Sequence, residues 1–174
     1  MNSLDIDEIN LNEDKNAILG SFDELNSFIG LSKCFTQTKR YLELLTRVQS
    51  DIFLIQAEIA SPSRVLCQPE RLTQEHMRFI EKQTGNLEQE LDPLDHFIMP
   101  EGTKFASFLQ CIRTMSRRTE REVLAYGKKA DLHEWQIDFY ARFCDRLACL
   151  AFAMARLSNK EAGFKERKPD YYKE

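Results

Sequence analysis

The chain has no Cys-x-x-Cys pair. Its five cysteines, Cys34, Cys67, Cys111, Cys144 and Cys149, are an odd and scattered set, so the sequence offers neither a disulfide framework nor a zinc knuckle. Reduced thiols in the cytoplasm are expected. His76, His96 and His133 are too far apart for a local metal motif, and no protein-bound transition metal is expected. No stretch approaches the roughly 20 apolar residues needed to cross a bilayer, so no membrane partner is expected. Residues 1–16 are acidic and lack a basic flank followed by an apolar run, so no secretory or transit peptide is expected and a mobile arm is. Positive charge is also short: 24 Lys and Arg against 28 Asp and Glu give a net charge of -4. General nucleic-acid binding, which needs a basic footprint, is therefore not expected, and any anionic ligand must meet a local patch.

What remains is a helix-forming composition. Glycine and proline are few, at six and five residues, and charged residues make up 30% of the chain; Leu, Glu, Lys, Arg and Ala are prominent, which favours an all-α protein. With 174 residues and 43% hydrophobic content, a single domain over residues 1–174 is expected, built around one core. Pro62 and Pro69 flank one loop, Pro93 and Pro100 another, and Gly127 precedes a polar connection. Five amphipathic segments lie between these breaks, at about residues 21–38, 41–60, 73–91, 104–126 and 133–159. Their apolar residues recur at three- and four-residue steps, as in Phe22, Leu25, Phe28 and Ile29. Ser21, with Glu24 three residues on, reads as an N-cap and capping box. Short connections imply a five-helix bundle with mostly antiparallel neighbours. A charged tail over residues 160–174 is expected on the surface or folded over a groove.

The densest chemistry lies between Arg113 and Glu122. Arg113, Arg117 and Arg121 are four residues apart and so form one ridge of a helix. Like charges at this spacing repel, so an anionic group should face them. Glu120, Glu122, Asp23 and Glu24 are candidate protein partners in an interhelix salt-bridge ladder. The other reading is a phosphate cradle, because guanidinium forks match phosphate oxygens. Elsewhere, Cys144 and Cys149 are expected as buried core thiols and Trp135 as a packing or interface anchor.

Asp23-Glu24-Leu25-Asn26-Ser27, Val48-Gln49 leading to Ala57-Glu58-Ile59-Ala60, Phe97-Ile98-Met99-Pro100, and Arg113-Thr114 followed by Arg117-Arg118-Thr119-Glu120-Arg121 together resemble the PduO-type ATP:cob(I)alamin adenosyltransferases. The similarity runs from about residue 20 to residue 156. The resemblance implies a homotrimeric five-helix bundle that binds ATP and cobalamin at each subunit interface. It implies transfer of the 5′-deoxyadenosyl group of ATP to cob(I)alamin, giving adenosylcobalamin and triphosphate, with Mg²⁺ assisting. It further implies that Arg117 contacts ATP phosphates, that Arg113 pairs with Asp23 of the partner subunit, and that Glu120 and Arg121 complete that network. Phe97 would help drive the lower axial ligand off cobalt. Asn26, Arg142 and Asp145 would lie among the ligand-binding positions.

The chain also departs from the family pattern. The Thr-Gly-Asp-x-Gly segment that opens family members has no counterpart in residues 1–20, the family's Asn on the fifth helix is Ala141, and Gln110 stands where many members have His. An alternative reading is therefore a non-catalytic paralogue that keeps the bundle and acts as a cobalamin carrier, sensor or assembly module.

Overall fold

The computed structural model describes residues 13–60 and 71–171. The readings made for residues 1–12, for the loop between Pro62 and Pro69 with its Cys67, and for residues 172–174 lie outside the described residues; the mobile-arm reading of residues 1–16 is corrected over residues 13–16, which are helical. Within them the chain forms five α-helices and no strand: α1 Glu13–Lys33, α2 Lys39–Ala60, α3 Gln74–Glu88, α4 Lys104–Tyr126 and α5 Glu134–Glu161.

Each helix buries the face its periodicity marked. Phe22 and Ile29 of α1, Ile52 of α2, Ile80 of α3, Leu109 and Ile112 of α4, and Tyr140 and Phe143 of α5 are fully buried in one continuous cluster. A side chain of this size contributes about 1.5–3 kcal/mol when fully buried. The capping reading at Ser21 is corrected. Residues 13–20 are already helical, and Ile18 among them is fully buried and extends the apolar stripe. Ser21 sits inside the helix, and its hydroxyl donates to the Glu122 carboxylate of α4. The true caps lie elsewhere. The Thr73 hydroxyl accepts the Glu75 N–H at 3.3 Å at the start of α3, and the Thr103 hydroxyl accepts the Ala106 N–H at 3.1 Å at the start of α4.

Polar contacts fix the directions of the helices. Phe35 stacks on Phe108 at 4.6 Å while Ser21 meets Glu122, so α1 and α4 are antiparallel. Tyr41 bonds Glu161 at 2.8 Å and Tyr140 bonds Glu58 at 2.6 Å, so α2 and α5 are antiparallel too. α3 and α5 run parallel: Arg146 pairs with Glu81, and ten residues on Arg156 bonds the Asp92 carbonyl just past the end of α3. α4 packs between α1 and α5, and its outer surface is therefore framed by both. Gly127 lets the chain turn closely between α4 and α5, since a Cβ there would meet Ile137 and the Val123 carbonyl at 2.6 Å.

Candidate functional site

α4 sorts its arginines by the direction they leave the helix. Arg118 turns to α1, where it pairs with Glu24, and it lies 3.8 Å from Glu122 one turn on in α4. With the Ser21 to Glu122 bond, this is the salt-bridge seam that the charge pattern allowed, built from Arg118 rather than from the ridge. Arg113, Arg117 and Arg121 have no acidic partner among the described residues. Arg113 is half-buried; its Nε donates to Gln110 Oε1 at 2.7 Å, and its guanidinium carbon lies 5.9 Å from the centre of the Phe152 ring on α5. Burial, and then the charge of Arg117, push its pKa down. Guanidinium stays protonated regardless, so an anion that faces this ridge relieves both penalties.

Glu120 is half-buried beside the ridge and Asp23 is exposed on α1, and neither has an ion pair or hydrogen bond among the described residues. Asp23 does not reach Arg113 within one subunit. Asn26, one turn on from Asp23, is only 4% exposed, and its side-chain oxygen has no hydrogen-bond partner among the described residues. An orphaned buried acceptor is uncommon and marks a place where a ligand or partner can donate. On α5, Arg142 pairs with Asp138 at 3.0 Å, and Asp145 lies 3.6 Å from Arg146, so both are engaged in local surface pairs. Ala141 is buried. Cys144 is buried and its thiol is pushed well up by that burial, but Cys149 is exposed, contrary to its expected core position. It sits within reach of the Arg117 charge because the five-residue step from Cys144 carries it to the outer face. Trp135 is 56% exposed and so does not anchor the protomer's own core.

Phe97 belongs to the loop between α3 and α4 and is 79% exposed, which excludes a core role in the protomer. Its loop is nevertheless tied down. Arg167 of the tail grips Glu101 through two bonds of 2.6 Å, and its carbonyl accepts the Met99 N–H at 2.9 Å. Asn159 accepts the Thr103 N–H at 3.0 Å and donates to the Glu101 carbonyl at 2.9 Å. Gly102, with φ of 137°, lies against that Asn159 side chain, and a Cβ there would come within 2.0 Å of it. Arg156 bonds Glu166 through two contacts of 3.1 Å and lies 5.9 Å from the Phe152 ring. Phe152, Arg156, Asn159 and Arg167 did not stand out from the sequence, because each acts through a partner distant in the chain.

The family model described as cobalamin adenosyltransferase matches residues 7–158, so the likeness begins earlier than residue 20. The corrinoid adenosyltransferase of Bacillus subtilis is 34% identical over 148 residues, covering 83% of this chain and 74% of the relative. The PduO-type ATP:corrinoid adenosyltransferase of Lactobacillus reuteri shares the fold: one variant, complexed with cobalamin and ATP, superposes with a TM-score of 0.80 at 24% identity, covering 92% of this chain and 88% of that one. A second variant of it, also complexed with cobalamin and ATP, gives 0.78 at 25% identity, over 90% and 84% of the two chains. The arginine ridge, the fold and these matches agree, and the chain belongs to the cobalamin adenosyltransferase family.

Proposed function

We propose that this protein transfers the 5′-deoxyadenosyl group of ATP to cob(I)alamin. The observation that carries the reading is the row of three arginines on α4 without an acidic partner among the described residues. In the transfer the cobalt–carbon bond forms at C5′ as the C5′–oxygen bond breaks, and the electron pair leaves with triphosphate. Arg117 and Arg121 hold phosphate oxygens and stabilise the charge that grows on them, with Mg²⁺ sharing that charge. Arg113 pairs with Asp23 of the partner subunit in a homotrimer, which accounts for two opposite charges that find no ionic partner among the described residues of one subunit. Glu120 orders the same network. Asn26 offers its orphaned oxygen to ligand, and Arg142 and Asp145 line the approach. Phe97 is exposed and on an anchored loop, as a side chain that displaces the lower axial ligand of cobalt must be. Exposed Cys34, Cys111 and Cys149 fit a reducing cytoplasm.

The second reading, a cobalamin-binding paralogue without transfer, is favoured by Ala141, whose buried methyl replaces the polar side chain expected of the family. Titration with ATP, followed by anaerobic assay with chemically reduced cob(I)alamin, separates the two. Adenosylcobalamin formation supports the enzyme. Binding of cobalamin with neither binding nor reaction of ATP at millimolar concentration replaces it with the carrier or sensor. Light scattering at several concentrations tests the trimer, and a stable monomer removes the shared-site arrangement.

A further inference from the structure

The Phe152 ring is shared by two guanidinium groups. Arg113 of α4 and Arg156 of α5 each place their guanidinium carbon 5.9 Å from its centre. Arg156 is itself immobilised, with its Nε bonded to both Glu166 oxygens at 3.1 Å and an Nη bonded to the Asp92 carbonyl at 3.0 Å. Its side chain is only 11% exposed in the Glu166 pair. The ring is therefore held by a fixed cation, and it in turn limits where Arg113 can lie. On its other side Arg113 has a single bond, from Nε to Gln110 Oε1 at 2.7 Å, and Gln110 is buried. Gln110 and Phe152 hold the inner part of the guanidinium and leave both Nη groups without a hydrogen-bond partner among the described residues. A free guanidinium on a flexible stem samples many rotamers, whereas a fork fixed from behind meets an anion with little further loss of freedom.

We propose that Phe152 is a positioning residue: it sets the orientation of Arg113, and through Arg156 it ties that orientation to the loop that starts at Asp92 and carries Phe97. This rests on the reading of Arg113 as a cation that faces a ligand or partner subunit. Attraction between the ring face and the guanidinium is the part lost when the ring is replaced by an aliphatic side chain, and a phenol keeps it.

The test compares the wild-type protein with Phe152→Leu and Phe152→Tyr. The Arg113 Nε–H signal, assigned by its loss in Arg113→Lys, is followed by NMR, and adenosyl transfer and thermal stability are measured on the same samples. In Phe152→Leu the signal should lose its ring-current shift and its protection from exchange, and kcat/KM for ATP should fall about two- to fivefold. Phe152→Tyr should restore both. An unchanged Arg113 signal and unchanged kcat/KM in Phe152→Leu overturn the proposal. So does an equal loss in both variants that follows their melting temperatures, since that is what a purely structural ring would give. Wild-type protein that forms no adenosylcobalamin sinks the transferase reading instead, and the NMR comparison alone then decides whether Phe152 orients Arg113.

Discussion

Replacing Arg117 by Gln should weaken nucleotide binding while leaving the fold as stable as before or slightly more so. Arg117 has no acidic partner among the described residues, and Arg113 and Arg121 flank it at four-residue steps on one helix. Each such like-charge pair costs about 0.2–0.5 kcal/mol, so removing the middle charge relieves about 0.4–1 kcal/mol. Gln and Arg have nearly the same helix propensity, so the backbone adds little. In a chain of this size, a gain of that order raises the melting temperature by at most about 4 °C. A lost charge-assisted bond to phosphate, by contrast, costs about 1.5–3 kcal/mol, a rise in the ATP dissociation constant of about ten- to 150-fold. Isothermal titration with ATP and a thermal melt of the same variant measure the two effects. The neighbouring Arg118→Gln is the control. It breaks an exposed pair with Glu24, should cost under about 1 kcal/mol, and should leave ATP affinity unchanged. A melting temperature several degrees lower in Arg117→Gln, with ATP affinity intact, would refute the reasoning and make Arg117 a structural residue.

Phe97→Ala should change stability by less than about 0.5 kcal/mol, because the side chain is 79% exposed, yet abolish the four-coordinate Co(II) absorption of bound, reduced cobalamin; an unchanged spectrum removes its assignment. Tyr140→Phe deletes a buried bond of 2.6 Å to Glu58, which among the described residues keeps the Leu72 N–H at 2.9 Å, and the bond of 3.2 Å that the phenol accepts from Gln136, and should lower stability by about 1.5–3 kcal/mol in urea unfolding; a loss near zero would show that water takes the place of the phenol. Asp51 is 1% exposed, and burial holds its carboxyl above the usual range, with His76 and then Arg47 opposing. A folded pKa above the unfolded one makes the acid's stabilisation complete below the unfolded value of about 4 and lost as pH rises through the folded value. Asp51→Asn should therefore match wild type near pH 4 and exceed it at pH 7, and a variant less stable at pH 7 contradicts this.

The apolar stripes were legible because burial imposes a three- and four-residue period directly on the sequence, and α4 has the limits, Lys104–Tyr126, that its breaks implied. Ser21 was misleading for a physical reason. A Ser with Glu three residues on has the same pattern at the start of a helix or in its middle, and only the burial of Ile18 and the hydroxyl bond to Glu122, 101 positions away, separate the two. The ridge was legible as a spacing, but which arginine would serve the seam was not, since that depends on where α1 lies around α4. Phe97 stood out by motif, whereas its anchors, Asn159 and Arg167, lie 56 and 66 positions from Thr103 and Glu101, the residues they hold. No local pattern encodes such contacts.

The arrangement on α4 also explains how the fold can tolerate change at the nucleotide end. Successive residues of a helix are about 100° apart, so Arg117 and Arg118 leave it in different directions. Arg118 and Glu122 hold α1, Ile112, Ser116, Thr119 and Val123 face the core, and Arg113, Arg117 and Arg121 stand clear of both. The core contacts, the seam to α1 and the arginines of the proposed ligand site thus occupy separate strips of one helix. The Gly102 and Asn159 lock and the Arg167 grip on Glu101 likewise fix the Phe97 loop without using Phe97 itself. Ala141, where the family pattern has Asn, belongs to neither set of anchors. On the proposed function, ATP affinity is set by the arginine strip and not by the shared fold, which rests on the other two strips.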